Sequence, residues 1–133
     1  MPNYRKKSTE NLSAAKLLID NNMFTASVHC SYYAGFQMSK YILAHYCNIS
    51  YTRQEEEAKG KDSHFYIMNE LSDSLSSINR FYYIDYNKYY NALKMLRKKA
   101  DYSEILITDH EAQKAYNCAN QLITLLKSKY SIR

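Results

Sequence analysis

Residues 23–47 read MFTASVHCSYYAGFQMSKYILAHYC, without proline and with one glycine, Gly35. Phe24, Val28, Tyr32, Tyr33, Phe36, Met38, Tyr41, Ile42, Leu43 and Tyr46 fall on nearly every side of a 3.6-residue helix. A helix that is apolar all round is buried by neighbours on several sides. Ala26, Ser27, Ala34, Gly35 and Ala44 are small enough to let other helices come close. At 1.5 Å per residue the stretch would run about 37 Å, the width of a small domain. It reads as the central rod of a helical bundle.

Composition agrees. The chain has 133 residues, 46% of them hydrophobic, with 2 Gly and 1 Pro, and that proline is Pro2. One domain is the expectation at this length, and so few turn-formers argue against a sheet. The net charge of +5 permits contact with phosphate without demanding it. Cys30, Cys47 and Cys118 are odd in number and lack CxxC spacing, which reads as reduced thiols in a cytoplasmic protein. The first ten residues carry no apolar run, so no secretory leader is expected. The central stretch holds too much Ser, Lys, His and Gln to cross a bilayer.

Outward from the rod, residues 1–7 are polar and basic and read as a tail. Ser8 or Thr9 can cap a first helix whose apolar face is Leu12, Ala15, Leu18 and Ile19. Asp20-Asn21-Asn22 breaks it, offers a cap for the central helix and folds the two into an antiparallel hairpin. Residues 49–61, with Glu55, Glu56, Glu57 and Gly60, read as a solvated loop. Asp62 or Ser63 then opens a third helix with a stripe at Phe65, Met68, Leu71, Leu75 and Ile78. A fourth, from about Phe81 to Ala100, carries Tyr82, Tyr86, Tyr89, Leu93 and Leu96, flanked by Tyr83 and Tyr90. Tyrosines at this spacing belong to a core or interface more readily than to a base-stacking surface. Thr108-Asp109-His110-Glu111 fits a capping box for the fifth helix, with Ile107 placed to staple onto Ala112. The expected fold is all-α: an up-down bundle of about five helices.

One residue departs from the pattern. Counted at 100° per residue from Leu93, Arg97 falls about 40° from the centre of the fourth stripe. A cation there needs a reason. Either it snorkels at the edge and pairs with Asp101 at i+4, or it is aimed into a cleft for phosphate. Lys94, Lys98 and Lys99 lie further round, toward solvent.

The run Arg97-Lys98-Lys99-Ala100-Asp101-Tyr102 resembles the R-x-x-A-D-Y signature that ends the fourth helix of many prokaryotic HEPN-domain proteins. The run from Ala26 to Phe36, with Tyr32-Tyr33-Ala34-Gly35-Phe36, is similar to that family's central helix. The opening hairpin (Ala14, Leu17, Leu18) and the spacing of Ala115, Ala119 and Ile123 agree, so the likeness covers residues 8–128. It implies a small cytoplasmic helical bundle, usually a homodimer. Such proteins often pair with a nucleotidyltransferase encoded nearby, or act in toxin–antitoxin and antiphage systems. Active members are metal-independent ribonucleases in which an Arg and a His, separated by four to six intervening residues, meet at the dimer cleft.

The Arg matches Arg97. The His does not: the corresponding positions hold Tyr102, Ser103 and Glu104, and His110 belongs to the next capping box. Moving the 2′-hydroxyl proton near neutral pH suits histidine, with a pKa near 6.5, better than tyrosine, near 10. The resemblance therefore favours a nucleotide- or RNA-binding protein without catalysis. Its phosphate-binding candidates are Arg97, Lys98, Asp101 and Tyr102. A ribonuclease with an atypical acid–base group, Tyr102 or His64, is the alternative, and His64 could replace the missing histidine if folding brings it to Arg97. A dimerisation module, with Arg97 tied up by Asp101, is the third reading. A zinc site at His29 and Cys30 lacks ligand spacing, a Cys–His nucleophile pair is equally unsupported, and no cofactor motif appears.

Overall fold

The structure is a computed structural model that describes residues 2–132. It is all-helical, with six helices among the described residues: α1 (Tyr4–Asp20), α2 (Phe24–Tyr46), α3 (Tyr51–Glu57), α4 (Ser63–Ile78), α5 (Tyr82–Tyr102) and α6 (Asp109–Lys129). α2 is the axis, packing against α1, α4, α5 and α6. The small residues explain how it can. Ser27, Ser31, Ala34, Gly35 and Ser39 are all buried on it. A Cβ on Gly35 would sit 3.4 Å from Leu93 Cδ1 of α5 and 3.6 Å from Leu122 Cδ2 of α6.

Buried serines need partners; Ser27 and Ser39 of α2 and Ser8 of α1 find them on backbone, whereas Ser31 Oγ has none. Ser8 Oγ of α1 donates to Ala34 O of α2 at 2.6 Å. Ser27 donates to Phe24 O at 2.7 Å and Ser39 to Gly35 O at 2.9 Å. Since the Ser39 proton is spent on Gly35, the 2.8 Å contact between Ser39 and the fully buried Tyr86 has the tyrosine as donor.

Several boundaries differ from the sequence expectation. The tail is not one from Tyr4 onward: α1 begins there, capped by Asn3, whose side chain accepts from Lys6 N–H. Ser8, expected as a cap, lies inside the helix and crosses to α2. The hairpin forms, with Lys40 Nζ reaching Tyr4 Oη at 3.3 Å at the end far from the turn. Asp20–Asn22 gives α2 no cap; its Ncap, Met23, makes no side-chain bond. Instead Asn22 turns left-handed (φ 60°). Met23 N–H then closes on Leu18 O at 2.8 Å and Asn22 N–H on Ile19 O at 3.0 Å, which terminates α1. Asn48 and Ser131 have similar positive φ values of 58° and 56° just past α2 and α6. Asparagine and serine stand where glycine is usual, so the low glycine count does not forbid tight helix ends.

The polar loop is also corrected. Residues 49–61 contain α3, capped by Ser50, with Ile49, Gln54 and Ala58 buried. Its inward side is one glutamine and one alanine, too little hydrophobicity to register as periodic. On α4 the buried face is Tyr66, Ile67, Leu71, Ser72 and Leu75. Phe65 and Ile78 are 52% and 49% exposed, so the helix is turned by about one residue from the stripe read off the sequence. A hydrogen bond from the Tyr66 hydroxyl to Glu57 of α3 joins that inner face to the neighbouring helix. The Asp62 cap of α4 and the complete capping box at Thr108 and Glu111 are as expected.

Candidate functional site

Arg97 rises from the last third of α5 toward α2 and the first turn of α4. Its side chain is 19% exposed. The guanidinium carbon lies 4.9 Å from the centre of the Tyr32 ring and 5.6 Å from that of Tyr33. Cations are attracted to aromatic faces at such distances, and arginine's planar head suits the contact. The i+4 partner foreseen from spacing is in place: Nε lies 3.3 Å from Asp101 Oδ2. That N–H is nevertheless buried and aligned with no acceptor. The contact is therefore Coulombic rather than a hydrogen bond, because charge attraction tolerates poor angles and a hydrogen bond does not. A long contact of 3.5 Å runs from Arg97 Nη2 to the Tyr33 hydroxyl. Asp101 is shared, with its other oxygen 3.4 Å from His29 Nδ1.

Folding also brings His64 to this group. It is the second residue of α4, and Asp62 fixes the turn by accepting from His64 N–H at 3.0 Å and Phe65 N–H at 3.3 Å. The imidazole stacks on Phe36 (4.3 Å between centroids, 20° between planes) and meets Tyr33 edge-on at 6.0 Å. Its Nδ1 lies 2.6 Å from the Tyr32 hydroxyl, which is also 3.2 Å from the Tyr90 hydroxyl. Arg97 and His64 thus grip the same two tyrosines, one on the rings and one on a hydroxyl.

The proton order in this chain follows from satisfaction. Burial pushes the Tyr90 hydroxyl well up, keeping it protonated. The His64 pKa is held below the ordinary histidine value, first by burial and then by the Arg97 charge. A neutral imidazole has one N–H. All three groups are satisfied when Tyr90 donates to Tyr32, Tyr32 donates to His64 Nδ1, and the ring proton stays on Nε2. This order is assigned from the network. It leaves His64 with a donor, not a vacant base, at its other nitrogen.

The remaining candidates stand apart. Tyr102 is 79% exposed and Lys98 is exposed. Among the described residues, neither has a hydrogen bond or ion pair to the Arg97 group. His29 has a place that spacing did not give it, against Asp101 and 4.8 Å from the Tyr33 ring. Tyr32 and Tyr33 were legible as packing residues; their role as a platform for a cation needs the fold.

Cys30, Cys47 and Cys118 are unpaired and half-buried, and burial pushes the Cys30 and Cys118 thiols up, away from nucleophilic thiolate. Among the described residues no group of three or more His, Cys, Asp or Glu is placed to hold a metal ion, and no helix is long and apolar enough to cross a membrane. Comparison of the chain with protein-family models, curated proteins and solved structures finds no match.

Proposed function

We propose that this chain is a HEPN-type helical protein that binds the phosphate of RNA or of a nucleotide at Arg97, without cleaving it. One observation supports the reading: a guanidinium is kept on an apolar helix face and laid on two tyrosine rings, with the side chain still 19% exposed. Such a group is preorganised for an oxyanion, since little freedom is left for it to lose on binding. Asp101, anchored by His29, acts as the positioning residue. Lys98 and Tyr102 supply longer-range charge and a hydrogen bond from the exposed end of α5. In line with the resemblance, the working unit would be a homodimer, with a nucleotidyltransferase or a toxin–antitoxin system as its setting.

A second reading is favoured by the meeting of His64 with Arg97: a metal-independent ribonuclease in which His64 stands in for the absent histidine of the signature. The neutral ring suits a base. The proton assignment opposes it, because Nδ1 is occupied by Tyr32 and Nε2 carries the proton.

A labelled single-stranded oligoribonucleotide, followed by fluorescence anisotropy, separates the readings. Under the first, the intact chain binds, Arg97→Ala weakens binding at least about tenfold, a loss of about 1.4 kcal/mol, and the RNA stays whole. Arg97→Lys should retain part of the affinity. Under the second, cleavage appears in the presence of chelator, leaves 2′,3′-cyclic ends and stops in His64→Gln. No binding by the folded intact chain leaves only the dimerisation module.

A further inference from the structure

The outer seam between α5 and α6 is left open. Among the described residues α2 is the one helix that packs on both of them, and the far side of the pair carries no third helix. Two hollows run along it. One, of about 580 Å³, lies between the later turns of α5 and the start of α6; the other, of about 380 Å³, lies between the first turns of α5 and the end of α6. Their linings follow one stripe on each helix. On α5, Asp85, Tyr89, Ala92, Leu96 and Lys99 succeed one another at intervals of three or four. On α6, Lys114, Gln121 and Leu125 do the same, with Cys118 in register between the first two. From Asp85 to Lys99 the seam is about 21 Å long, the length of a helix of four turns.

Its floor is apolar. Tyr89, Leu96, Cys118 and Leu125 are half-buried at the margin of the core, and Met95 stands at the lip, 73% exposed. An apolar row left open beside polar residues marks a contact surface.

The rim is cationic. Lys99 is matched by Glu111 at 2.7 Å, and Lys129 lies 4.1 Å from the centre of the Tyr82 ring. Lys88 and Lys114 are exposed, one on each helix, and among the described residues no carboxylate pairs with either. Burial pushes the Cys118 thiol up, while the charges of Lys114 and Lys88 act on it in the other direction. Both ammonium groups therefore overlook the same part of the seam, in the middle of its length.

We propose that this seam is the docking groove for an amphipathic helix of another protein, acidic on both flanks. Its apolar residues, at i, i+3 or i+4 and i+7, lie along Tyr89, Ala92 and Leu96, as ridges enter a groove between helices. A carboxylate on each flank meets Lys88 on one side and Lys114 on the other. Charge argues against the other occupants. In a symmetric pair of copies the same patch faces itself, so these lysines would oppose each other. A nucleic acid would find two unmatched cations but few ring faces to stack on, since Tyr89 already has the Lys88 ammonium 6.0 Å above it. Arg97 lines neither hollow, so the groove stands whether or not that residue takes phosphate.

The test is selection from a displayed library of helical peptides of about sixteen residues against the full chain, with the recovered peptides then measured by fluorescence anisotropy. They should share an apolar stripe flanked by Asp or Glu. They should bind the Lys88→Glu, Lys114→Glu double variant at least about tenfold more weakly than the parent. Met95→Gln, which removes apolar surface and no charge, should weaken them severalfold. All three positions are exposed, and circular dichroism should show the helices intact. The proposal is overturned if no peptide is recovered, if the recovered peptides lack acidic flanks, or if the double variant binds them as the parent does. The same variant reads the other occupants. Loss of oligoribonucleotide binding with peptide binding unchanged makes the seam a nucleic-acid surface, and a lower mass in sedimentation makes it a contact between copies. Either result ends the proposal.

Discussion

The Arg97 guanidinium lies 4.9 Å from the centre of the Tyr32 ring, and Tyr32 is itself pinned by its hydroxyl to His64 and Tyr90. A charge on α5 is thereby fixed to a ring on α2, whose hydroxyl is fixed to α4. The three helices meet in one polar cluster. Buried networks of this kind are costly when any member is removed.

Tyr32→Phe keeps the platform for Arg97 and removes the bridging hydroxyl. It leaves His64 Nδ1 and the Tyr90 hydroxyl without their partner. Urea unfolding should show a loss of about 1–2 kcal/mol. A variant as stable as the parent would mean that the hydroxyl chain contributes nothing to the fold.

Arg97→Lys retains the charge but not the flat guanidinium that rests on Tyr32 and Tyr33. Stability should fall by about 0.5–1 kcal/mol. If lysine serves equally well in thermal unfolding, the contact is a matter of charge alone and the ring faces are incidental.

Stability should depend on pH through His64. Its folded pKa is lowered by burial first and by Arg97 second; Lys94 and Lys40 act in the same direction and Asp62 opposes them. The unfolded chain binds a proton there as pH drops through about 6.5, while the folded chain resists. The unfolded state then holds more protons, so stability is intact above about pH 6.5 and is lost as pH falls from there through the folded value. Unfolding free energies measured between about pH 5 and 7.5 should fall more steeply toward acid in the parent than in His64→Gln. Parallel curves would refute this.

Gly35→Ala should raise stability. The residue is inside α2 with ordinary helical geometry, and the added methyl would meet Leu93 and Leu122 at 3.4 Å or more, which is van der Waals contact. Removing a glycine from a helix interior is worth about 0.5–1 kcal/mol. A lower melting temperature would show that the closeness of α5 and α6, rather than chain entropy, decides this position.

The sequence by itself determined the all-helical class, α2 as the axis, the Asp62 cap and the Thr108–Glu111 capping box. Those depend on periodicity and on contacts within one turn, which neighbouring residues write down directly. It also marked Arg97 as a cation on an apolar stripe and named Asp101 as its partner, because i and i+4 share a face. Only the tertiary structure decided the rest. α3 is held by the buried Gln54 amide and the Tyr66–Glu57 bond, so its helix has almost no apolar signature of its own. α4 is turned away from its nominal stripe because the neighbours, not the pattern, choose which side is covered. The meeting of His64 with Arg97 on Tyr32, and of Lys88 with Lys114 beside Cys118, joins residues far apart in the chain. Such encounters are set by how the helices dock, and no local spacing encodes them.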